Sequence, residues 1–533
     1  MTTADDETAY ETFSMTLNRR RLLQTSAATL LAAASAARPA FGDRSPQGAN
    51  IAFATAAEAL AALKTREVSA RELTELCLQR ITASQDTVNA LALLRGDQAL
   101  AEAAAIDEAR AKGHPLGPLA GLPITIKESF DVSGLATTWG NPNFPKTPAS
   151  ENSAVAERLI AAGGILLGKT NVSLMLSDWD GRNPVYGSTR NPWNLDRVPG
   201  GSSAGAAAAL SSGLSFLDIG SDLGGSIRQP AANCGIYGHK PTAGVVPQRG
   251  HVPSAAPPGL RAAMMETPQF SDLPVSGPMA RSAPDLLTAL SVVGGPDGAA
   301  TRALSYRVPP ARHKALRDFR VGFALSHPDA EPDTDTLAVL GTLIESLTGR
   351  VARLEEGWPE GVDPRRQRDL RHYFRATIGT LMATPEQAAE HARDAASDGP
   401  EWVQGDYYGA FNQGFSDRRA AFVAKETERL ALRAAWQRYF TEFDVFLMPV
   451  QTRTAMAPDA LTDEIAFASH LWFAAATVTG LPATAAPAGL APNGLPVGLQ
   501  ILGPHYEDAT CIGFAEVLAR DGIGGYQKPP FAI

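Results

Sequence analysis

Phe216-Leu217-Asp218-Ile219-Gly220-Ser221-Asp222-Leu223-Gly224-Gly225-Ser226-Ile227-Arg228 joins an apolar run to a polar, glycine-rich turn. The run 216–219 reads as a buried strand, and the small-residue segment 204–210 before it reads as a helix. The same alternation recurs upstream, where helix 154–162 leads to strand 165–167 and strand 122–126 ends at Lys127. Strands alternating with helices predict an α/β layered fold, with loops gathering functional groups at the strand ends. The turn itself can carry chemistry. Paired glycines admit positive φ and so can turn successive N–H groups toward one point beside Ser226. A nest of that kind is what a developing oxyanion requires. Taken alone, Gly224-Gly225-Ser226 is equally compatible with an ordinary strand-to-helix turn.

Outward from this stretch, helical periodicity begins near Ala56, and Ser69-Ala70-Arg71-Glu72 is a capping box. The helix it opens carries Leu73, Leu76, Cys77 and Ile81 on one face. An alanine-rich helix over 99–112 is stopped by Gly113. Further strands are predicted at 321–325, 445–448 and 497–501, and residues 365–440 read as mainly helical, including a charged amphipathic helix capped by Ser416. No linker or internal repeat interrupts the pattern, so one large domain over 48–530 with a helical insertion at about 365–440 is predicted.

The chain has 533 residues, 44% hydrophobic and 19% charged, the balance of a globular protein. Its net charge is −9 with no basic run beyond the N-terminus, so neither nucleic acid nor an anionic membrane surface is an expected partner. Cys77, Cys234 and Cys511 are widely separated, and no histidine pattern has metal-ligand spacing, so no disulfide framework or metal site is expected. At the N-terminus, Asn18-Arg19-Arg20-Arg21-Leu22-Leu23-Gln24 forms a twin-arginine pattern, followed by an apolar stretch over 27–37 and an A-x-A site at Ala34-Ser35-Ala36. Residues 1–37 are read as an export signal, which predicts a periplasmic or secreted protein. The competing readings are a basic N-terminal helix, or a translation start at Met15 that leaves out the acidic residues before it, and the alternative location is the cytoplasm. No apolar run of about 20 residues is present, so no membrane span is predicted.

Two motifs mislead. Gly163-Gly164-Ile165-Leu166-Leu167-Gly168-Lys169-Thr170 spells G-x-x-x-x-G-K-T, but its variable positions are themselves a strand, where a phosphate cradle needs a loop opening into a helix. Gly201-Ser202-Ser203-Ala204-Gly205 spells the G-x-S-x-G elbow, with His505 as a conceivable base for Ser203. That elbow needs a strand immediately before it, and residues 191–199 read as loop.

Several segments together carry a family resemblance. Gly200-Gly201-Ser202-Ser203-Ala204-Gly205, residues 220–228 and residues 235–242 resemble the amidase signature family. So do Gly121-Leu122-Pro123-Ile124-Thr125-Ile126-Lys127, Gly168-Lys169-Thr170-Asn171, Asn183-Pro184-Val185-Tyr186-Gly187, Asn191-Pro192-Trp193-Asn194 and Gly494-Leu495-Pro496-Val497-Gly498-Leu499-Gln500. The resemblance runs from about residue 54 to 520, dense over 119–245 and thin over 300–440. It implies a single large domain with a mixed β-sheet core covered by helices on both faces. It also implies Ser226 as nucleophile, Ser202 as a bridging cis-serine and Lys127 as base, with Ser202 and Lys127 lying 24 and 99 positions ahead of Ser226.

In that reading the N–H groups of Leu223, Gly224, Gly225 and Ser226 form the oxyanion hole, while Ser203, Asp222 and Arg228 support the loop. A lysine can act as base only when neutral, and burial lowers its pKa by penalising the ammonium form. The competing reading of Lys127 is a surface residue paired with Glu128. No cofactor or metal is implied, and the expected substrate is a small-molecule amide. Asn233 and His239 depart from the family pattern and are read as polar core rather than substrate contacts. Trp402, Tyr407, Tyr408, Phe411 and Phe415 form an aromatic cluster that lines either a pocket or a core. Three functions follow as expectations: a stand-alone exported amidase, a glutamine-hydrolysing amidotransferase A-type subunit, or a non-catalytic binding protein on the same scaffold.

Overall fold

The helix–strand alternation runs through the described residues of a computed structural model, which are 51–256, 258–267, 273–383, 385–397 and 409–531. One mixed sheet contains β1 (Leu91–Leu94), β2 (Pro123–Lys127), β3 (Ile165–Thr170), β4 (Leu217–Asp222), β5 (Tyr237–Lys240) and β6 (Val275–Ala280). It continues with β7 (Arg320–Phe323), β8 (Arg353–Glu356), β9 (Val445–Pro449), β10 (Ala483–Leu490) and β11 (Pro496–Leu502). The spatial order is β1-β3-β2-β4-β6-β5-β10-β11-β9-β7-β8. Neighbours β3, β2 and β4 are parallel, as are β9, β7 and β8, and the remaining pairs are antiparallel.

The helices in chain order are α1 (Ala56–Thr65), α2 (Ala70–Ser84), α3 (Gly96–Ala111), α4 (Ala154–Ala161) and α5 (Ala204–Ser211). They are followed by α6 (Arg228–Cys234), α7 (Pro258–Glu266), α8 (Ala283–Val293), α9 (Thr334–Leu347) and α10 (Pro364–Met382). The last are α11 (Pro385–Ser397), α12 (Gly409–Ser416), α13 (Arg419–Glu442), α14 (Asp463–Thr479) and α15 (Asp508–Arg520). The capping box at Ser69 opens α2 with both reciprocal bonds made.

Both sheet faces are buried. Along β9, Val445 and Leu447 join one apolar cluster, whereas Phe446 and Met448 join another with Trp436 and Trp472. Successive strand residues point to opposite faces, so the alternation marks core on each side. The same rule positions the lysine. Ile124 and Ile126 of β2 enter the first cluster, which sends Thr125 and Lys127 to the opposite face. There α5, all eight residues of it buried and small or apolar, lies against the sheet.

The insertion is helical, through α10 to α13, as predicted. One detail differs. Ser416 does not cap α13; it is the last residue of α12, its hydroxyl donates back to the Gln413 carbonyl at 3.2 Å, and α13 starts after Arg418 without a side-chain cap. Of the aromatic cluster, Trp402, Tyr407 and Tyr408 lie outside the described residues. Phe411 and Phe415 meet edge to face with centroids 5.0 Å apart, both against His391, and crowd Gly379 of α10, so they pack the insertion onto itself. The twin-arginine segment, in residues 1–48, lies outside the described residues, and the described chain from residue 51 onward belongs to one compact unit. No helix among the described residues is long and apolar enough to cross a membrane.

Candidate active site

Lys127 ends β2 with no solvent exposure. Its Nζ donates to Ser202 Oγ at 2.7 Å and to Ser221 Oγ at 3.0 Å, and reaches the Ser221 carbonyl at 3.4 Å. The Gly201–Ser202 peptide bond is cis. Burial pulls the lysine down to about 7, against the opposing pull of Asp222, Asp218 and Glu128. The alternative Lys127–Glu128 ion pair is not formed. Glu128 turns away and accepts from the Thr138 amide and hydroxyl, the Trp139 amide and the Tyr186 hydroxyl at 2.6–3.1 Å.

Ser226 follows β4 on the glycine turn and is half-buried. Its carbonyl accepts from the Ser203 amide at 3.2 Å, while its hydroxyl makes no hydrogen bond among the described residues. Gly225 has φ +94, and a Cβ there would sit 2.7 Å from the Phe473 ring, so only glycine fits. The turn is braced from behind by Asp222. Its carboxylate accepts from the Gly225, Ile227 and Arg228 amides at 2.9, 3.1 and 3.3 Å and from the Arg228 guanidinium at 2.8 and 3.0 Å. Burial pushes the Asp222 carboxyl up, but the Arg228 charge and these bonds outweigh it and hold it well below the usual carboxylate range. Arg228 also donates to the Phe473 carbonyl and Gln500 Oε1 at 3.1 and 2.6 Å. Ser203 stands behind the turn, its hydroxyl 3.5 Å from the Ser221 carbonyl.

One expectation changes here. The Gly225 amide is committed to Asp222 at 2.9 Å, which takes it out of the proposed oxyanion set. The Leu223, Gly224 and Ser226 amides have no partner among the described residues.

Asp218 escapes sequence reasoning altogether. It lies on the lysine face of β4, fully buried, with Oδ2 accepting from Thr170 Oγ1 at 3.1 Å and Oδ1 unpartnered. Burial raises it to about 7, so it titrates alongside Lys127.

The Ser226 turn opens on a cavity of about 210 Å³. Arg371 and Arg375 of α10 line it, as do Asp178, Asp180 and His470. Arg371 reaches the turn itself, its Nη2 lying 2.0 Å from where a Gly224 Cβ would be. No local pattern in the sequence connects α10 to Ser226. Burial raises both Asp178 and Asp180.

The other residues of interest fall elsewhere. Lys169 of the G-x-x-x-x-G-K-T segment is on β3 and donates to Thr137 Oγ1 at 3.0 Å. Asn233 and His239 are core: Asn233 Oδ1 accepts from Gln451 at 2.5 Å, and the His239 ring bridges Thr484 and Asp508 at 2.9 and 3.1 Å. His505 bonds the Thr479 carbonyl and is no partner of Ser203.

Known proteins are similar to this chain in sequence and fold. The profile of the family described as Amidase matches residues 72–512. The A-type subunit of glutamyl-tRNA(Gln) amidotransferase from Synechococcus sp. strain CC9605 is 34% identical over 464 residues, covering 83% of this chain and 91% of that protein. The same-named protein of Chromohalobacter salexigens is 31% identical over 497 residues, covering 90% and 98%. Among solved structures, native peptide amidase from Stenotrophomonas maltophilia is similar with a TM-score of 0.67 at 25% identity, covering 90% of this chain and 99% of that one. A chain of a vestigial complex, described as revealing the origins of an s-triazine catabolic enzyme, gives a TM-score of 0.72 at 27% identity, covering 89% and 100%. With the fold, the Lys127–Ser202 contact and the profile in agreement, the chain belongs to the amidase signature family and is an enzyme of carbon–nitrogen bond hydrolysis.

Proposed function

We propose that Ser226 attacks the carbonyl of a small polar amide, with Ser202 passing its proton to Lys127. The observation that carries this reading is the buried 2.7 Å bond from Lys127 Nζ to Ser202 Oγ, beside a serine whose hydroxyl is uncommitted. A hydroxyl donates and accepts at once, so Ser202 can hand on one proton while receiving another. The Leu223, Gly224 and Ser226 amides receive the oxyanion. The C–N bond then breaks, the returned proton leaves with ammonia or amine, and water releases the acid from the acyl-enzyme. Asp222, Arg228 and Ser203 keep the turn in shape.

The cavity suits a compact, charged substrate. At about 210 Å³ it is smaller than the roughly 300–1,000 Å³ usual for drug-sized ligands. Two arginines and several aspartates line one space, which matches an amide bearing both a carboxylate and an ammonium, as glutamine does. The relatives are named as A-type subunits of an amidotransferase, which favours the ammonia-supplying subunit over the stand-alone exported amidase. In that setting a partner enzyme and its tRNA stand beside the chain, and the chain stays in the cytoplasm.

Ammonia release by the purified chain from glutamine and from a neutral amide of equal size tests the reading. Glutamine should be preferred, and Arg371→Gln should raise its KM about ten- to hundredfold while sparing the neutral amide. Equal use of both amides by wild type would sink the charged-substrate reading. Release only when a partner is added, with the chain found in the cytoplasmic fraction, identifies the amidotransferase component; release by an exported chain alone identifies the stand-alone amidase.

Asp218 sets a further expectation. Above its own titration it is an anion close to Lys127, and an anion favours the ammonium form. Asp218→Asn removes that support, so the Lys127 pKa falls and the acid limb of kcat/KM moves to lower pH by about one unit. A profile unchanged in a folded variant would show that Asp218 does not act on the lysine.

A further inference from the structure

A second cavity, of about 790 Å³, opens where the end of β11, the start of β9 and the C-terminal half of α13 meet. Its cations form two sets. Arg312 and Arg320 are engaged by acids: Arg312 donates to Glu507 at 2.6 and 2.8 Å, and Arg320 to Asp444 at 2.7 and 3.1 Å. Arg433 is different. It is half-buried in the cavity wall and has no hydrogen bond or ion pair to any described residue.

His505 shares that wall. The position of a Gly480 Cβ lies 3.8 Å from His505 Nε2 and 3.9 Å from Arg433 Nη2. Nε2 bonds the Thr479 carbonyl at 2.8 Å, and a carbonyl can only accept, so Nε2 carries the proton. Nδ1 is then an acceptor, and it is buried without a partner. Burial holds the ring below its ordinary pKa, in keeping with a neutral imidazole. Next to it Tyr506 has φ +63, a conformation rare for a non-glycine residue. Its amide donates to Thr242 Oγ1 at 3.0 Å, and the residue lines the cavity while 57% exposed. Phe440 and Pro504 supply apolar wall.

A buried imidazole nitrogen without a partner, such as His505 Nδ1, is uncommon and costly. Here a guanidinium lacks an anion and an imidazole nitrogen lacks a donor, both in one roomy, partly apolar cavity. A single ligand type satisfies both. We propose that this cavity is a second binding site, taking an organic carboxylate with an apolar body and a hydrogen-bond donor beside the carboxylate, as in a hydroxy or amino acid. The carboxylate pairs with Arg433, the adjacent O–H or N–H donates to His505 Nδ1, and the body lies against Tyr506 and Phe440.

Calorimetric titration of the whole chain with phenyllactate, phenylacetate and inorganic phosphate tests this. Phenyllactate should bind, with phenylacetate, which lacks the hydroxyl, about tenfold weaker. Arg433→Gln should weaken phenyllactate about ten- to hundredfold without changing amide hydrolysis, and His505→Phe should abolish the preference over phenylacetate. Arg371→Gln, in the Ser226 cavity, should leave phenyllactate binding intact. The proposal is overturned if phenyllactate does not bind, if phosphate binds more tightly, or if Arg371→Gln weakens binding and Arg433→Gln does not.

Discussion

Ser226→Ala is expected to lower amide hydrolysis by about 10⁴- to 10⁶-fold, the scale seen when a serine nucleophile is removed from a hydrolase. The size follows from the step lost. Without the hydroxyl no acyl-enzyme forms, and Ser202 and Lys127 are left with no proton to carry. What remains is the binding cavity and the free amides of Leu223, Gly224 and residue 226 itself, which polarise a carbonyl but supply no attacking group. The fold should not change. The Ser226 hydroxyl makes no hydrogen bond among the described residues, and the carbonyl that accepts from the Ser203 amide is kept in alanine. The Asp222–Arg228 brace is likewise untouched, so a melting temperature within about a degree or two of wild type is expected. Ammonia release measured beside circular dichroism separates the two effects. Activity near wild type in the variant would exclude Ser226 as nucleophile. A wild-type chain that a fluorophosphonate fails to label at Ser226 would point to the non-catalytic scaffold.

What sequence could reveal of this site depended on distance along the chain. Asp222 and Arg228 brace the turn from within seven residues of each other, and Ser202 and Ser203 come from one motif, so family resemblance reached all of them. Lys127 was placed by a strand ending in an apolar run, and the alternation of Ile124 and Ile126 into the core explains its burial. Asp218 was invisible because its meaning is cross-strand: Thr170 of β3, not a sequence neighbour, holds it. Arg371 and Arg375 were unreadable for the same reason, since α10 meets the Ser226 turn only through the tertiary fold. The fold shows the same division. Strands with apolar runs, such as β2, β4, β9 and β11, were legible. The strands β6, Val-Ser-Gly-Pro-Met-Ala, and β10, rich in alanine, were not. Proline and glycine argue against a strand, and alanine favours a helix. Their antiparallel partners decide the matter: β6 pairs with β4 from Leu217↔Ala280 to Asp222↔Val275, and β10 lies between β5 and β11. The misplaced cap at Ser416 is a milder case, a hydroxyl that reads as opening a helix and instead closes the preceding one.

Lys127→Ala should slow acylation by about 10³- to 10⁵-fold at neutral pH, and the shape of the loss with pH identifies the role. Burial places the lysine at about 7, well under its ordinary value, because the cost of an unsolvated ammonium exceeds what Asp222, Asp218 and Glu128 return. In the proposed mechanism the active form is the neutral one. Wild-type kcat/KM therefore rises with pH up to about 7 and levels off above it, as the amine loses its proton. In the alanine variant hydroxide is the remaining base, so log kcat/KM climbs with unit slope and no plateau. Below pH 7 both curves rise together and the deficit is at its largest; above pH 7 wild type is flat and the variant gains on it. A purely structural lysine predicts something else, a deficit of constant size at every pH. Lys127→Arg provides the control for charge and packing. A guanidinium keeps its proton at any working pH, so this variant should be as slow as alanine if proton transfer is the function. Recovery of activity in Lys127→Arg would assign the residue to positioning Ser202 and Ser221 through its hydrogen bonds.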